Sequence, residues 1–300
     1  MGAGPGRILR QRPVRVPEAP TRNGGLPGLV ATEWLARNLE RSDVRVIDVR
    51  AQPAYNTSHI PGLVCLSPES FRGVFGGVSS MLLPAEMLGK HLALIGIRPE
   101  DTVALVPSEK MHDATTVAIG LERLGHRRYG ILEGGFGQWV EENRPVTTAL
   151  PDVASAAYAP RAGADRFTVE YQTVLAYVRS RRAVILDVRP SAYYAGMKTD
   201  EARAGHIPGA INRPFSEDVR VVTESVVFKT VDELEKAYSA LIPSKDATIV
   251  IHCRTGHQAS QTFFVLKHLL DYRNVLWYDA GWSEWAARSA LPIETRDVSR

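Results

Sequence analysis

Cys253 stands where the patterning of the chain changes twice within a few residues. The run Thr248-Ile249-Val250-Ile251-His252 before it is β-branched and apolar, Arg254-Thr255-Gly256-His257-Gln258 after it is short and polar, and from Ala259 to Leu270 the spacing turns helical. A thiol at a strand end, opening a loop that feeds a helix, lies where backbone N–H groups and the positive end of a helix dipole converge, so an anion is stabilised there. That anion would be the Cys253 thiolate or a group it carries. An unperturbed thiol, with pKa about 8.5, is only a few per cent ionised at neutral pH; lowering it by about two units would raise the reactive fraction roughly tenfold. The loop amides and helix terminus are expected to supply most of that lowering.

Each loop residue has a role to weigh. Thr255, Gly256, Gln258 and Ala259 would cradle the sulfur through their N–H groups, with Gly256 free to take positive φ so that the loop curls. Arg254 offers a planar fork for two oxygens of an anionic substrate, and His257 a hydrogen bond or a proton; either could instead face solvent.

The elements that position this loop are written twice. Leu132-Glu133-Gly134-Gly135-Phe136-Gly137-Gln138-Trp139 aligns with Tyr278-Asp279-Ala280-Gly281-Trp282-Ser283-Glu284-Trp285 at an offset of 146, that is 278 less 132. Upstream, Asp48-Val49-Arg50 matches Asp187-Val188-Arg189, and His59-Ile60-Pro61-Gly62 matches His206-Ile207-Pro208-Gly209; those offsets, 139 and 147, leave 8 extra residues in the second copy. Each copy alternates β-branched runs with helix-period segments, the pattern of a mostly parallel sheet flanked by helices. Strands are expected at Val44–Asp48, Val64–Leu66, Thr102–Val106, Tyr129–Leu132, Val184–Asp187 and Thr248–His252. Helices are expected at Thr32–Leu39, capped by Thr32, and at Pro84–Ile95, Met111–Leu124, Tyr171–Ser180, Val231–Leu241 and Ala259–Leu270. The divisions follow as a disordered tail over 1–25, a first unit over 26–146, a small, Pro-bearing linker over 147–164 and a second unit over 165–300.

Composition narrows the function classes. In 300 residues the 36 basic and 33 acidic side chains are interleaved, which argues against a nucleic-acid surface, and no apolar run nears the length of a membrane span. The N-terminus has no apolar core of a signal peptide, and Cys65 and Cys253 alone make no disulfide framework. A cytoplasmic protein is the expectation, with the periplasm as the alternative should a signal peptide precede this sequence. No His/Cys cluster has metal-ligand spacing, so neither a metal nor a cofactor is expected.

The blocks Leu186-Asp187-Val188-Arg189, Gly205-His206-Ile207-Pro208-Gly209, the strand-Cys253 loop and Tyr278-Asp279-Ala280-Gly281-Trp282 resemble, in order and spacing, the tandem-domain rhodanese family of sulfurtransferases, over about Gly28 to Pro292. The resemblance implies two rhodanese-like α/β domains, of which the N-terminal copy, with Pro107 opposite Cys253, is inactive. It implies transfer of sulfane sulfur through a Cys253 persulfide, from a small anionic donor to a thiol, cyanide or protein acceptor, with thiosulfate favoured as donor. The alternatives are 3-mercaptopyruvate as donor and a non-catalytic protein-binding module. A phosphatase or arsenate reductase would need an arginine six residues after the cysteine, where this chain has Ala259. The loop departs from the thiosulfate type, usually Cys-Arg-Lys-Gly-Val-Thr, at Thr255, and the family's anion-binding arginine falls at Tyr193. Lys198 or Arg203, in or beside the insertion, could replace it. Asp187, Arg189 and His206 recur in the copy without a nucleophile and are expected to serve the fold. Cys65 reads as a packed core thiol, and Trp139, Trp282 and Trp285 as core or interface cover, with Trp282 placed to wall a pocket.

Overall fold

The computed structural model describes residues 26–223 and 225–295; the tail expected over 1–25 lies outside the described residues. The first copy holds a five-stranded sheet in the order Gly28–Val30, Tyr129–Leu132, Thr102–Val106, Val44–Asp48, Val64–Cys65, with every neighbouring pair parallel. The second holds four parallel strands, Asn274–Trp277, Thr248–His252, Val184–Asp187 and Ile211–Asn212. Its counterpart of the edge strand Gly28–Val30 is reduced to a bridge between Thr168 and Trp277. The central strands read as unbroken apolar runs because helices cover both of their faces.

Alternation along those strands divides the cores. Ile47, Leu105, Ile249 and Ile251 enter one core shared by the two copies, while Val46 and Ala104 face a second core and Val250 a third, on the outer sides. In the shared core the helix Met111–Leu124 lies along its own duplicate, which runs His257–Phe264 and widens into a π turn over Val265–Leu269. Thr115 Oγ1 meets Ser260 Oγ at 2.7 Å near one end, and Glu122 meets Lys267 Nζ and His268 Nε2 at 2.8 and 3.0 Å near the other. The duplicate helices therefore run side by side in the same direction, with their first turns adjacent.

Several local expectations are corrected. The helix expected from Ala259 begins two residues earlier, because Gly256 itself is the N-cap, at φ 76°. Thr32 is the first helical residue and not a cap; its hydroxyl donates to Glu142 Oε2 at 2.6 Å. Residues 147–164 carry no helix or strand, yet they are strapped down. Ala156 N–H donates to Ala93 O at 2.8 Å and Arg161 N–H to Leu124 O at 2.9 Å. Two antiparallel hairpins, Arg72–Phe75 with Val78–Leu82 and Val219–Val222 with Ser225–Phe228, were not foreseen in the sequence. Each reaches the other copy: the first touches the Cys253 loop, and Ser225 and Val226 of the second line a cavity beside Pro107.

Candidate active site

Cys253 follows the last residue of the strand Thr248–His252 and is only 1% exposed, on the wall of a cavity of about 270 Å³. The loop that leaves it is held by its carbonyls. Cys253 O accepts from Trp282 N–H at 2.9 Å, Arg254 O from Ser283 N–H at 3.0 Å, and Gly256 O from Trp277 Nε1 at 3.0 Å. Thr255 O accepts from Arg72 Nη2 of the first copy. Four consecutive carbonyls are drawn outward; the tie on Arg254 O turns the N–H of the same peptide, that of Thr255, toward the sulfur, and the N–H groups of Gln258 and Ala259 join it from the open first turn of the helix that Gly256 caps.

Two glycines make the arrangement possible. At Gly256 a Cβ would stand 2.3 Å from Asp279 Oδ1, and at Gly281, with φ 54°, it would stand 2.6 Å from the carbonyl oxygens of both Cys253 and Arg254. Only a glycine lets the helix Gly281–Ala287 bring its first amides against the loop.

The electrostatics correct one expectation. Burial pushes the Cys253 thiol above its ordinary value, against the pull of the Ala259 and Thr255 amides, the Arg72 charge and the Gln258 amide. Removing sulfur from water penalises the thiolate more than those donors recover, so the cradle limits the penalty without reversing it. Arg72 is itself buried. Beside Thr255 O it pairs with Asp279 Oδ1 at 3.3 Å, and its Nη1 has no hydrogen-bond partner among the described residues. Asp279 Oδ2 accepts from Leu82 N–H at 2.7 Å, and burial raises its pKa while Arg72 and Arg123 oppose that rise.

The remaining expected residues divide. Tyr193, His257 and Trp282 line the cavity, as does Arg254, whose side chain is half exposed and lies 3.3 Å from Glu201 and 3.7 Å from Asp200. Arg203 is excluded as an anion binder: its guanidinium donates to the carbonyls of Ala286, Leu291, Trp285 and Arg288, tying the C-terminal helix to the insertion. Lys198 is exposed and does not line the cavity. What the insertion brings to the pocket is acidic, Asp200 and Glu201, and not a replacement cation.

Asp187 pairs with Arg189 at 2.5 Å as Asp48 pairs with Arg50 at 2.6 Å, and His206 stacks on Tyr194 at 3.8 Å as His59 stacks on Tyr55 at 3.9 Å. Both constellations serve the repeated fold, although Arg189, beneath Trp282 at 4.6 Å, also reaches the cavity edge. Sequence reasoning missed Arg72, Asp279 and Trp277, and also His112 and Asp113, whose first helical turn faces His257. Asp113 Oδ1 lies 3.2 Å from His257 Nε2, and burial together with the His257 charge pushes the His112 pKa down. The absence of a metal-ligand spacing is likewise corrected in space: His112, Asp113 and His257 offer ligand atoms within 4.8 Å of one another. The duplication carried a signal for that trio, since the offset of 146 sets Met111 opposite His257.

Among the described residues no helix is long and apolar enough to cross a membrane. A rhodanese-like domain model matches residues 31–142 and again 171–288. The chain is 32% identical to a protein named sulfur carrier protein TtuD of Thermus thermophilus, over 88% of this chain and 95% of that one. It is 28% identical to a thiosulfate sulfurtransferase of Corynebacterium glutamicum, over 91% and 92%. A crystal structure of an anaerobic ergothioneine biosynthesis enzyme from Chlorobium limicola superposes with a TM-score of 0.77 over 89% of this chain and 70% of that one. At 21% identity that likeness is one of fold.

Proposed function

The chain belongs to the rhodanese-like family, with two copies of its domain, and we propose that it is a sulfurtransferase working through a persulfide on Cys253. The observation that carries this reading is the loop itself: four carbonyls tied outward and three amides aimed at one buried sulfur. The Cys253 thiol first loses its proton to solvent. The thiolate then attacks the outer sulfur of a donor such as thiosulfate; a new sulfur–sulfur bond forms, the donor's own breaks, and sulfite departs with the electron pair. The amides hold the charge first of the thiolate and then of the persulfide's terminal sulfur, a preorganised anion site. An acceptor, cyanide or a thiol, takes that sulfur and returns the thiolate, which gives ping-pong kinetics. The relative named as a sulfur carrier supports this handing-on of sulfur to an acceptor. The first copy, with Pro107 in place of a nucleophile, serves as scaffold.

Incubation with thiosulfate is expected to add the mass of one sulfur atom, located at Cys253 by peptide mapping. Because burial raises the thiol's pKa, the initial uptake rate is expected to climb with pH and to be still rising at about 8.5, the ordinary thiol value. A chain that gains no sulfur, or gains it elsewhere, refutes the persulfide; a rate already flat below neutrality would show that the amides outweigh burial.

Thiosulfate is a dianion, and the carboxylates of Asp200 and Glu201 oppose it while occupying Arg254. Asp200→Asn combined with Glu201→Gln is expected to lower KM for thiosulfate about three- to fivefold, the size of an exposed charge pair of about 1 kcal/mol. The effect on the monoanionic 3-mercaptopyruvate is expected to be smaller. Side-by-side kinetics with the two donors checks both the direction and the donor preference; an unchanged or higher KM for thiosulfate would place its oxygens away from Arg254.

A further inference from the structure

Three side chains that the transfer of sulfur leaves without a task meet between the two copies: His112 and His257 line the Cys253 cavity, and Asp113 lines the neighbouring cavity beside Pro107. His112 and Asp113 lie in the first turn of Met111–Leu124, and His257 opens His257–Phe264. Their ligating atoms all fall within 4.8 Å of one another. Asp113 Oδ1 is 3.2 Å from His257 Nε2, an ion-pair distance, although that buried nitrogen completes no aligned hydrogen bond among the described residues. The two imidazoles meet edge to face, 4.8 Å between centroids at 85°. Asp113 Oδ2 is already committed, accepting from Ser108 Oγ at 2.6 Å, which fixes the carboxylate and leaves its other oxygen toward the histidines.

Two imidazoles and one oriented carboxylate are a ligand set that a borderline-soft divalent ion takes. With metal–ligand bonds of about 2.0–2.2 Å in a tetrahedron, ligand atoms sit about 3.3 Å apart. The Asp113–His257 separation of 3.2 Å already meets that, and the remaining separations, at most 4.8 Å, would close by small side-chain rotations. The hydroxyl behind Asp113 is the outer support that such ligands usually have. Three protein ligands leave a fourth position, and because His112 and His257 both line the cavity with Cys253, that position opens on the pocket.

We propose that His112, Asp113 and His257 form an interdomain site for a first-row divalent cation, Zn²⁺ by preference, at the mouth of the Cys253 cavity. A bound ion would clamp the first turns of the duplicate helices together and occupy part of the space a donor needs. Zn²⁺ would therefore inhibit turnover reversibly; this consequence, unlike binding itself, rests on the sulfurtransferase reading.

Equilibrium dialysis with Zn²⁺ tests the site in the full-length Cys253→Ser chain, where no thiolate at position 253 can bind the metal. One Zn²⁺ per chain is expected, with affinity falling at least tenfold on adding His112→Ala, and separately on adding Asp113→Asn. Co²⁺ in the same Cys253→Ser chain is expected to give the visible absorption of a tetrahedral site without a thiolate charge-transfer band. Thermal melting of each variant shows that it is folded, and His112→Gln serves should His112→Ala not be. Binding that persists unchanged in both the His112 and Asp113 variants, or that vanishes in Cys253→Ser alone, overturns the proposal. In the wild type, Zn²⁺ is expected to slow sulfur transfer from thiosulfate and a chelator to restore it. Failure of that arm with binding intact would count against the sulfurtransferase reading or the blocking geometry, not against the site.

Discussion

Cys253→Ser is expected to reduce turnover with thiosulfate by a factor on the order of 10⁴ or more, while the protein keeps its fold. A serine hydroxyl ionises far less readily than a thiol and cannot carry a terminal sulfane sulfur, so the covalent route closes. The fold is spared because the loop is tied chiefly through its carbonyls, by Trp282, Ser283, Trp277 and Arg72, and all four contacts remain; a serine oxygen can still accept from the amides that face the sulfur. Exchanging one buried atom for a smaller, more polar one facing three amide donors costs about 1 kcal/mol. Steady-state assay beside thermal melting checks both halves. Cys65→Ser is the control, because that half-buried thiol is pushed up to about 11 by burial, donates to Arg50 O at 3.7 Å and lies on another strand; its loss is expected to leave turnover unchanged. Turnover that survived in Cys253→Ser would sink the persulfide reading outright.

What the sequence disclosed followed the range of the interaction. The loop Cys253–Ala259 was legible because its signals are local: a β-branched run, a glycine, a change to helical spacing. The duplicate also told structure from chemistry, since Asp48–Arg50 and Asp187–Arg189 prove to be the same ion pair in a copy with Pro107 at the nucleophile's place and in a copy with Cys253 there. The insertion misled. Lys198 and Arg203 carry the charge an anion binder needs, but charge does not fix direction. Arg203 turns to backbone carbonyls while its neighbours Asp200 and Glu201 face the pocket. Arg72 was beyond reach, lying 183 residues from Thr255 on a hairpin strand of four residues, too short for a period to register.

That hairpin makes the first copy more than a passive scaffold. Arg72→Met is expected to destabilise the protein by roughly 3–5 kcal/mol, because it leaves the buried Asp279 carboxylate without its cation. The loss should depend on pH in a definite direction. Burial already raises the Asp279 pKa against the opposing charge of Arg72, and removing Arg72 raises it further. The folded variant then holds a proton that the unfolded chain releases near the ordinary value of about 3.9, so stability falls as pH rises from there to the raised folded value. The melting gap between wild type and variant is expected to be wider at pH 8 than at pH 5. Catalysis should suffer separately. Without its tie to Arg72, the Thr255 carbonyl is free to turn, and the stretch between the Thr255 and Gln258 amides loses its fixed shape around the sulfur, lowering the rate of sulfur uptake on the order of 10²-fold. Arg72→Lys divides the two effects: it keeps a charge beside Asp279 but loses the fork that spans Asp279, Ser80 and Thr255, so it should narrow the melting gap while leaving uptake slow. A lysine variant with uptake at the wild-type rate would reduce Arg72 to a counter-charge and remove the hairpin from the mechanism.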